Sequence, residues 1–218
     1  MRFIFEQVRV GGDRNFGYLL GDREAGEGIL VDPSFDPELM VARAQAQGLR
    51  ITRILNTHGH SDHSNGNGTA KALTGAPVAG GPYNPGGLDQ VLQDGDQVGF
   101  GAFSLRAWHV PGHCPDHLAF LLTEPVCTGL TGDLLFVGKV GGTGSDADAR
   151  QEWASLRRLL RDWPAHTTLW PGHDYGARPS STVAWERAAN PFLLCPDVAA
   201  FIRLKADWPG FKAKHGLK

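Results

Sequence analysis

Thr57-His58-Gly59-His60-Ser61-Asp62-His63 places four potential metal ligands within six residues, directly after a run at 51–56 with strand composition. The residue types state the chemistry. Neutral imidazole and ionised carboxylate are donors that zinc, manganese and iron all accept. In His58-x-His60, alternate residues of an extended segment converge on one ion, whereas the neighbours Asp62 and His63 diverge and reach a second. The same donors recur at three further strand ends. Pro111-Gly112-His113 and Pro171-Gly172-His173 repeat one phrase after the apolar runs 103–110 and 168–170, and Gly132-Asp133 follows 126–131. Such ends meet at one rim of a sheet, and Gly59, Ser61, Gly112, Gly132 and Gly172 give the backbone room to turn there. Any one of these histidines alone reads better as a cap or a core residue; together they outweigh that reading. Seven donors exceed the three or four that one open catalytic ion uses. They suit two ions about 3.5–4 Å apart that share a carboxylate.

The remaining sequence frames this cluster. The 218 residues are 41% hydrophobic and 20% charged, which fits one globular domain, 1–218, ending in a short helical region. A net charge of -2 supplies no basic field for nucleic acid. No apolar run approaches the ~20 residues of a membrane span, and the opening Met1-Arg2-Phe3-Ile4 is not a signal peptide. Three cysteines without a Cys-x-x-Cys pair fit a reducing compartment, so a cytoplasmic location is expected. Strands are expected at 3–8, 17–20, 28–31 and 118–122. A helix should begin with Asp36 as its cap and Pro37 in its first turn, and close at Gly48. Shorter helices are expected at 69–74, 182–189 and 197–204. Trp153, Leu156, Leu160 and Trp163 form one helical stripe that Pro164 ends. Lys205, Lys212, Lys214 and Lys218 read as an exposed tail, and Trp108, Trp170 and Trp185 as core. His117 reads equally as a partner of a metal ligand or as part of a surface turn. Runs of strands with interspersed helices suggest a layered α+β or α/β architecture with packed sheets.

Thr-His-x-His-x-Asp-His, Pro-Gly-His, Gly-Asp and Gly-His, in this order, resemble the metallo-β-lactamase superfamily. Within it, 57–63, 110–117, 131–137 and 171–175 resemble the glyoxalase II, or hydroxyacylglutathione hydrolase, branch. The resemblance implies a four-layered αββα sandwich with metal at one edge. It implies that His58, His60 and His113 bind one divalent ion and that Asp62, His63 and His173 bind a second. Asp133 would bridge them, and Asp62 and Asp133 would carry the catalytic work of holding and orienting a hydroxide. Zinc is the first expectation for both ions, with iron or manganese as alternatives. The expected reaction is hydrolysis of a small-molecule thioester, a thiol conjugate, with Tyr175 and Lys139 on the substrate. Full-length glyoxalase II has a Gly-Cys-Gly-Arg/Lys stretch after the bridging Asp; here 136–144 lacks the Cys and displaces the basic residue to Lys139. The competing expectation is a persulfide dioxygenase with a single iron on His58, His113 and Asp133. Lactonases and other ester hydrolases on this scaffold use the same donors.

Overall fold

The computed structural model describes residues 1–85 and 87–216, so Lys218 of the expected tail lies outside the described residues. β1 (Phe3–Gly11), β2 (Asn15–Asp22), β3 (Glu27–Val31), β4 (Arg50–Leu55), β5 (Val78–Gly80) and β6 (Gln90–Val91) form one sheet in that order. β1, β2 and β3 pair antiparallel, and β3 to β6 pair parallel. The parallel steps need crossovers, supplied by α1 (Pro37–Ala46) between β3 and β4, and by α2 (Ser61–Ser64) and α3 (Asn67–Thr74) between β4 and β5. The second sheet comprises β7 (Gln97–Phe100), β8 (Phe103–His109), β9 (Leu118–Leu122) and β10 (Thr128–Gly132), with later strands beyond. A hairpin of β11 (Leu135–Phe136) and β12 (Lys139–Val140) and the helix α4 (Asp146–Asp162) precede β13 (Thr168–Pro171) and β14 (Ser181–Thr182). The strand order is β14-β13-β10-β9-β8-β7, and only β10 and β13 run parallel. Helices α5 (Val183–Ala189), α6 (Val198–Ala206) and α7 (Trp208–His215) follow.

Alternation along the strands builds the layers. Tyr18, Leu20, Ile29, Val31 and Leu55 face Phe100, Leu105, Ala107, Phe120 and Leu130 in a core between the two sheets. Their neighbours Leu19, Leu30 and Ile54 point the other way, onto Met40, Val41 and Ala44 of α1 and Ala70 of α3. On the far face of the second sheet, Trp108, Leu121 and Leu169 pack against Leu156, Leu159 and Leu160 of α4 and Phe201 of α6. The order is therefore helix, sheet, sheet, helix: the αββα sandwich. Each fully buried Leu or Ile contributes about 1.5–3 kcal/mol of apolar burial, so every interlayer face is independently worth keeping.

Local signals worked where they were expected. The Asp36 carboxylate accepts from Leu39 N at 3.1 Å, Pro37 opens α1, and Gly48 adopts φ +71° just past its end. Two tryptophans follow the expectation less well. Trp185 is 55% exposed beneath the Arg178 guanidinium, and Trp170 is only half-buried. Trp185 lies on α5 outside the core, whereas Trp170, on β13, packs against the core between the sheets with its ring 4.7 Å from that of Phe5. α7 was not expected, and it extends the helical ending of the chain.

Candidate metal centre

Four strand ends do meet. His58, His60, Asp62 and His63 follow β4, His113 follows β8, Asp133 follows β10, and His173 follows β13, all on one rim of the sandwich. His60 Nδ1 lies 3.0 Å from His58 Nε2 and 3.1 Å from His113 Nε2. His63 Nε2 lies 3.2 Å from His173 Nε2. Two nitrogens on one tetrahedral ion, each about 2.1 Å from it, stand about 3.4 Å apart, so these imidazoles are already spaced as ligands of a common ion. Asp133 faces both groups. Its carboxylate lies 3.4 Å from His63 Nε2, 3.3 Å from His173 Nε2 and 3.7 Å from His113 Nε2. Its Oδ1 is buried with no hydrogen-bond partner, which an added cation would satisfy. Among the described residues, the donor atoms of His58, His113 and Asp133, and those of Asp62, His63 and His173, form groups within 4.8 Å. His58, His60 and the thiol of Cys114 form a third such group. The donor set and its spacing fit two divalent ions.

The ring nitrogens that face away from the centre are held in turn, which fixes ring orientation and tautomer. His58 Nδ1 is 3.1 Å from Thr57 Oγ1, His113 Nδ1 donates to Gly142 O at 2.8 Å, and His173 Nδ1 donates to Asp13 O at 2.9 Å. His63 Nδ1 donates to the Asp32 carboxylate at 3.0 Å. That carboxylate also accepts from Thr57 N at 2.8 Å and Thr57 Oγ1 at 2.6 Å, which locks the start of the ligand loop. Asp32 is buried with φ +48°, a left-handed conformation that a non-glycine residue holds only when its surroundings require it. Asn15 Nδ2 donates to Asp62 Oδ2 at 3.0 Å and to Asp62 O at 3.1 Å. Asp133 N donates to His117 Nε2 at 3.0 Å, and the His117 ring stacks on His58 with centroids 5.0 Å apart. His117 is therefore an internal support and not a surface turn.

Glycine is required at two of these approaches. A Cβ at Gly172 would lie 2.4 Å from Asp133 Oδ1, and one at Gly112, where φ is +140°, would lie 2.3 Å from Glu152 N. The Pro-Gly-His phrases thus carry glycine because a ligand or a helix backbone occupies the space a side chain would fill.

The two groups differ electrostatically. Burial holds His58, His113 and His117 below the usual imidazole range. Burial acts in the same direction on His63 and His173, but carboxylates overturn it: Asp133 and Asp32 raise His63, and Asp133 and Asp62 push His173 up to about 9. The His173 hydrogen bond in turn holds Asp62 well below the usual carboxylate range.

Beside His173 the site opens into a groove. The Tyr175 ring stacks on His173 at 4.6 Å with an interplanar angle of 7°, and its hydroxyl donates to Asp13 Oδ2 at 2.7 Å. Lys139 Nζ and the Arg14 guanidinium each lie 4.8 Å from the Tyr175 ring centre. Burial, then the nearby charges of Lys212 and Arg14, lowers the Lys139 ammonium. The groove has a volume of about 990 Å³, with Arg14, Lys139, Tyr175, Arg178, Trp185 and Lys212 in its lining. Lys212 thus joins the groove. Lys205, expected in an exposed tail, is instead largely buried: its Nζ donates to Gly141 O at 2.6 Å and to the Glu152 carboxylate. An ammonium that finds a carbonyl and a carboxylate together is held inside where a free one would stay in water.

Comparison with known proteins agrees with this geometry. The metallo-beta-lactamase superfamily model matches residues 10–84. A hydroxyacylglutathione hydrolase of Rhodospirillum rubrum is 38% identical over 181 residues, 82% of this chain and 68% of that protein. The human mitochondrial persulfide dioxygenase ETHE1 is 33% identical over 196 residues, 88% of this chain and 75% of that protein. The crystal structure of ETHE1 from Myxococcus xanthus superposes with a TM-score of 0.86 at 28% identity, covering 94% of this chain and 91% of that one. That of TTHA1623 in a di-iron-bound form gives 0.72 at 31% identity, covering 86% of this chain and 100% of that one. The chain belongs to the metallo-beta-lactamase superfamily. Within that superfamily it is similar to hydroxyacylglutathione hydrolases and to persulfide dioxygenases at comparable identity.

Proposed function

We propose that the chain is a metal-dependent hydrolase of small-molecule thioesters. The observation that carries this reading is the pair of facing donor groups, His58 and His113 on one side and Asp62, His63 and His173 on the other, with Asp133 between them. His60, 3.0 Å from His58, completes the first group. Two divalent ions, zinc first among the candidates, would supply an acidified water and Lewis acidity toward a carbonyl oxygen. The chain's own contribution is positional. Asp32, Thr57, Asp13 and Gly142 hold the imidazoles, so little reorganisation is needed at reaction. Asp62, steadied by Asn15, would orient the attacking water. A thiolate leaving group, with a pKa of about 8.5, departs without a dedicated acid.

The carrier thiol would lie in the groove beside His173. Arg14, Lys139 and Lys212 offer three cations there to an anionic carrier, and the Tyr175 hydroxyl could turn from Asp13 to the substrate. Three buried, unpaired cysteines fit a reducing, cytoplasmic setting.

A second reading is favoured by one specific observation. His58, His113 and Asp133 by themselves form a two-histidine, one-carboxylate group, as do Asp62, His63 and His173, and this is the donor set of mononuclear iron oxygenases. One experiment separates the two. Protein purified without added metal is analysed for metal, then assayed with S-lactoylglutathione and with glutathione persulfide plus oxygen. About two zinc per chain with thioester cleavage supports the hydrolase. About one iron per chain with sulfite formation and no thioester cleavage overturns it.

A further inference from the structure

The buried Lys205–Glu152 pair lies outside the metal centre, yet its contacts lead straight into it. Lys205 is on α6 and Glu152 on α4, two helices of the outer layer that pack on each other. Glu152 is fully buried, its Oε1 has no partner, and its other oxygen accepts from Lys205. Burial raises the Glu152 carboxyl to about 8 against the pull of Lys205. A charged pair in this position is expensive to keep and invites a reason beyond stability, because apolar residues of similar size often serve a core equally well.

Geometry supplies the reason. Lys205 Nζ also donates to Gly141 O at 2.6 Å. Gly141 is wedged against the centre: a Cβ there would lie 2.0 Å from Asp133 O and 3.0 Å from His113 Nδ1. The next residue, Gly142, provides the carbonyl that orients the His113 ring at 2.8 Å. On the other side, the α4 backbone at Glu152 fills the space beside Gly112, and Ser155 Oγ donates to Pro111 O at 2.7 Å. The turn that carries His113 is therefore held by α4, and the loop after β12 that aims its imidazole is held by Lys205.

We propose that Lys205 is a positioning residue for His113, acting through the carbonyls of Gly141 and Gly142, with the Glu152 carboxyl as the second acceptor that keeps the ammonium in place. The helical end of the chain thereby sets occupancy of the metal position that His58, His60 and His113 form. This rests on His113 being a metal ligand, and the test keeps the two apart.

The test uses the full chain with cobalt(II) as the probe ion, followed by equilibrium dialysis and by the visible absorption of bound cobalt. The principal variant is E152L/K205M, which removes the donor to Gly141 without leaving a charge buried and alone. Loss of support behind a metal-bound imidazole costs about 10–100-fold in affinity. The double variant should therefore bind one cobalt ion about 10–100-fold more weakly, keep the other as in the wild type, and show an altered absorption band. E152Q, whose side-chain carbonyl still accepts from Lys205 and leaves it its bond to Gly141, should stay within about threefold of wild type. H113A is the control. If E152L/K205M binds both ions as the wild type does while H113A loses one, the positioning role is wrong and the ligand stands. If H113A also binds both unchanged, the ligand reading itself fails. Should the double variant not fold, as judged by circular dichroism, K205M carries the test: about 10–100-fold weaker binding of one ion with the other kept supports the role. Unchanged binding of both ions by folded K205M overturns it.

Discussion

The two halves of the metal centre use the same imidazoles but support them differently. Around His58 and His113 the partners are a hydroxyl and a backbone carbonyl, both neutral. Around His63 and His173 stand the carboxylates of Asp32, Asp62 and Asp133. Burial consequently keeps the first pair neutral, whereas carboxylates raise the second pair above the usual imidazole range. A cation in the second half meets more negative charge and should be held more firmly. One in the first half keeps more of its own charge to polarise a substrate oxygen. Both the donors and their supports distinguish the two groups: Asp62 stands only in the second, and the Asp32 carboxylate backs His63.

The strongest way to break this picture is the residue the halves share. Asp133→Ala should lower kcat/KM for thioester hydrolysis by about 10³-fold, with metal content below that of the wild type. His58→Ala should likewise abolish turnover. Full activity in either variant, measured by steady-state kinetics, would remove the site. Next in size, Asp32→Asn removes the charge behind His63 and loosens the Thr57 contacts that lead to His58. It should weaken the ion on the His63 side about 10–100-fold and the other by a smaller factor, as read by cobalt titration. Equal weakening of both ions would show that the halves are not separable.

Metal removal sharpens the contrast through pH. In the metal-free chain, His58, His113 and His117 are depressed, so the unfolded state takes up protons first and stability is lost as pH falls below about 6.5. His173 is raised to about 9, so its contribution is complete below about 6.5 and is lost as pH climbs toward 9. The metal-free protein should therefore be most stable near pH 6.5, with Tm lower by about 5 °C at the acid and alkaline ends. A Tm that rises steadily through this range in calorimetry would contradict the assignment. The smallest expected effect is Tyr175→Phe, which removes one substrate hydrogen bond. It should raise KM about fivefold with kcat within about twofold of wild type.

Much of this was legible in the residues. His58, His60, Asp62, His63, His113, Asp133 and His173 are chemically conspicuous and sit at the ends of strands, so their convergence follows from sheet topology. Asp32 obeyed the same rule, at the end of β3 and before Pro33, but a lone carboxylate in a turn carries no visible mark of what it holds. Asn15 was invisible for a similar reason, since it acts on Asp62 far along the chain, whereas His117 was open between a ligand's partner and a surface turn until burial and its bond to Asp133 N decided it. Lys205 was misread because a lysine near a chain end is normally solvated, and its two acceptors lie 53 and 64 residues away.

By itself, then, the sequence carried the candidate donor set in its motifs, and the sandwich and the superfamily in what those motifs resemble, whereas strand periodicity alone reached only a layered architecture of sheets and helices. The tertiary structure decided which partners stand behind each candidate ligand, and so how the two donor groups differ. It also decided that the helical end of the chain reaches the centre. Those are outcomes of long-range packing and burial, in which the charge and orientation of a side chain depend on groups its sequence neighbours do not reveal.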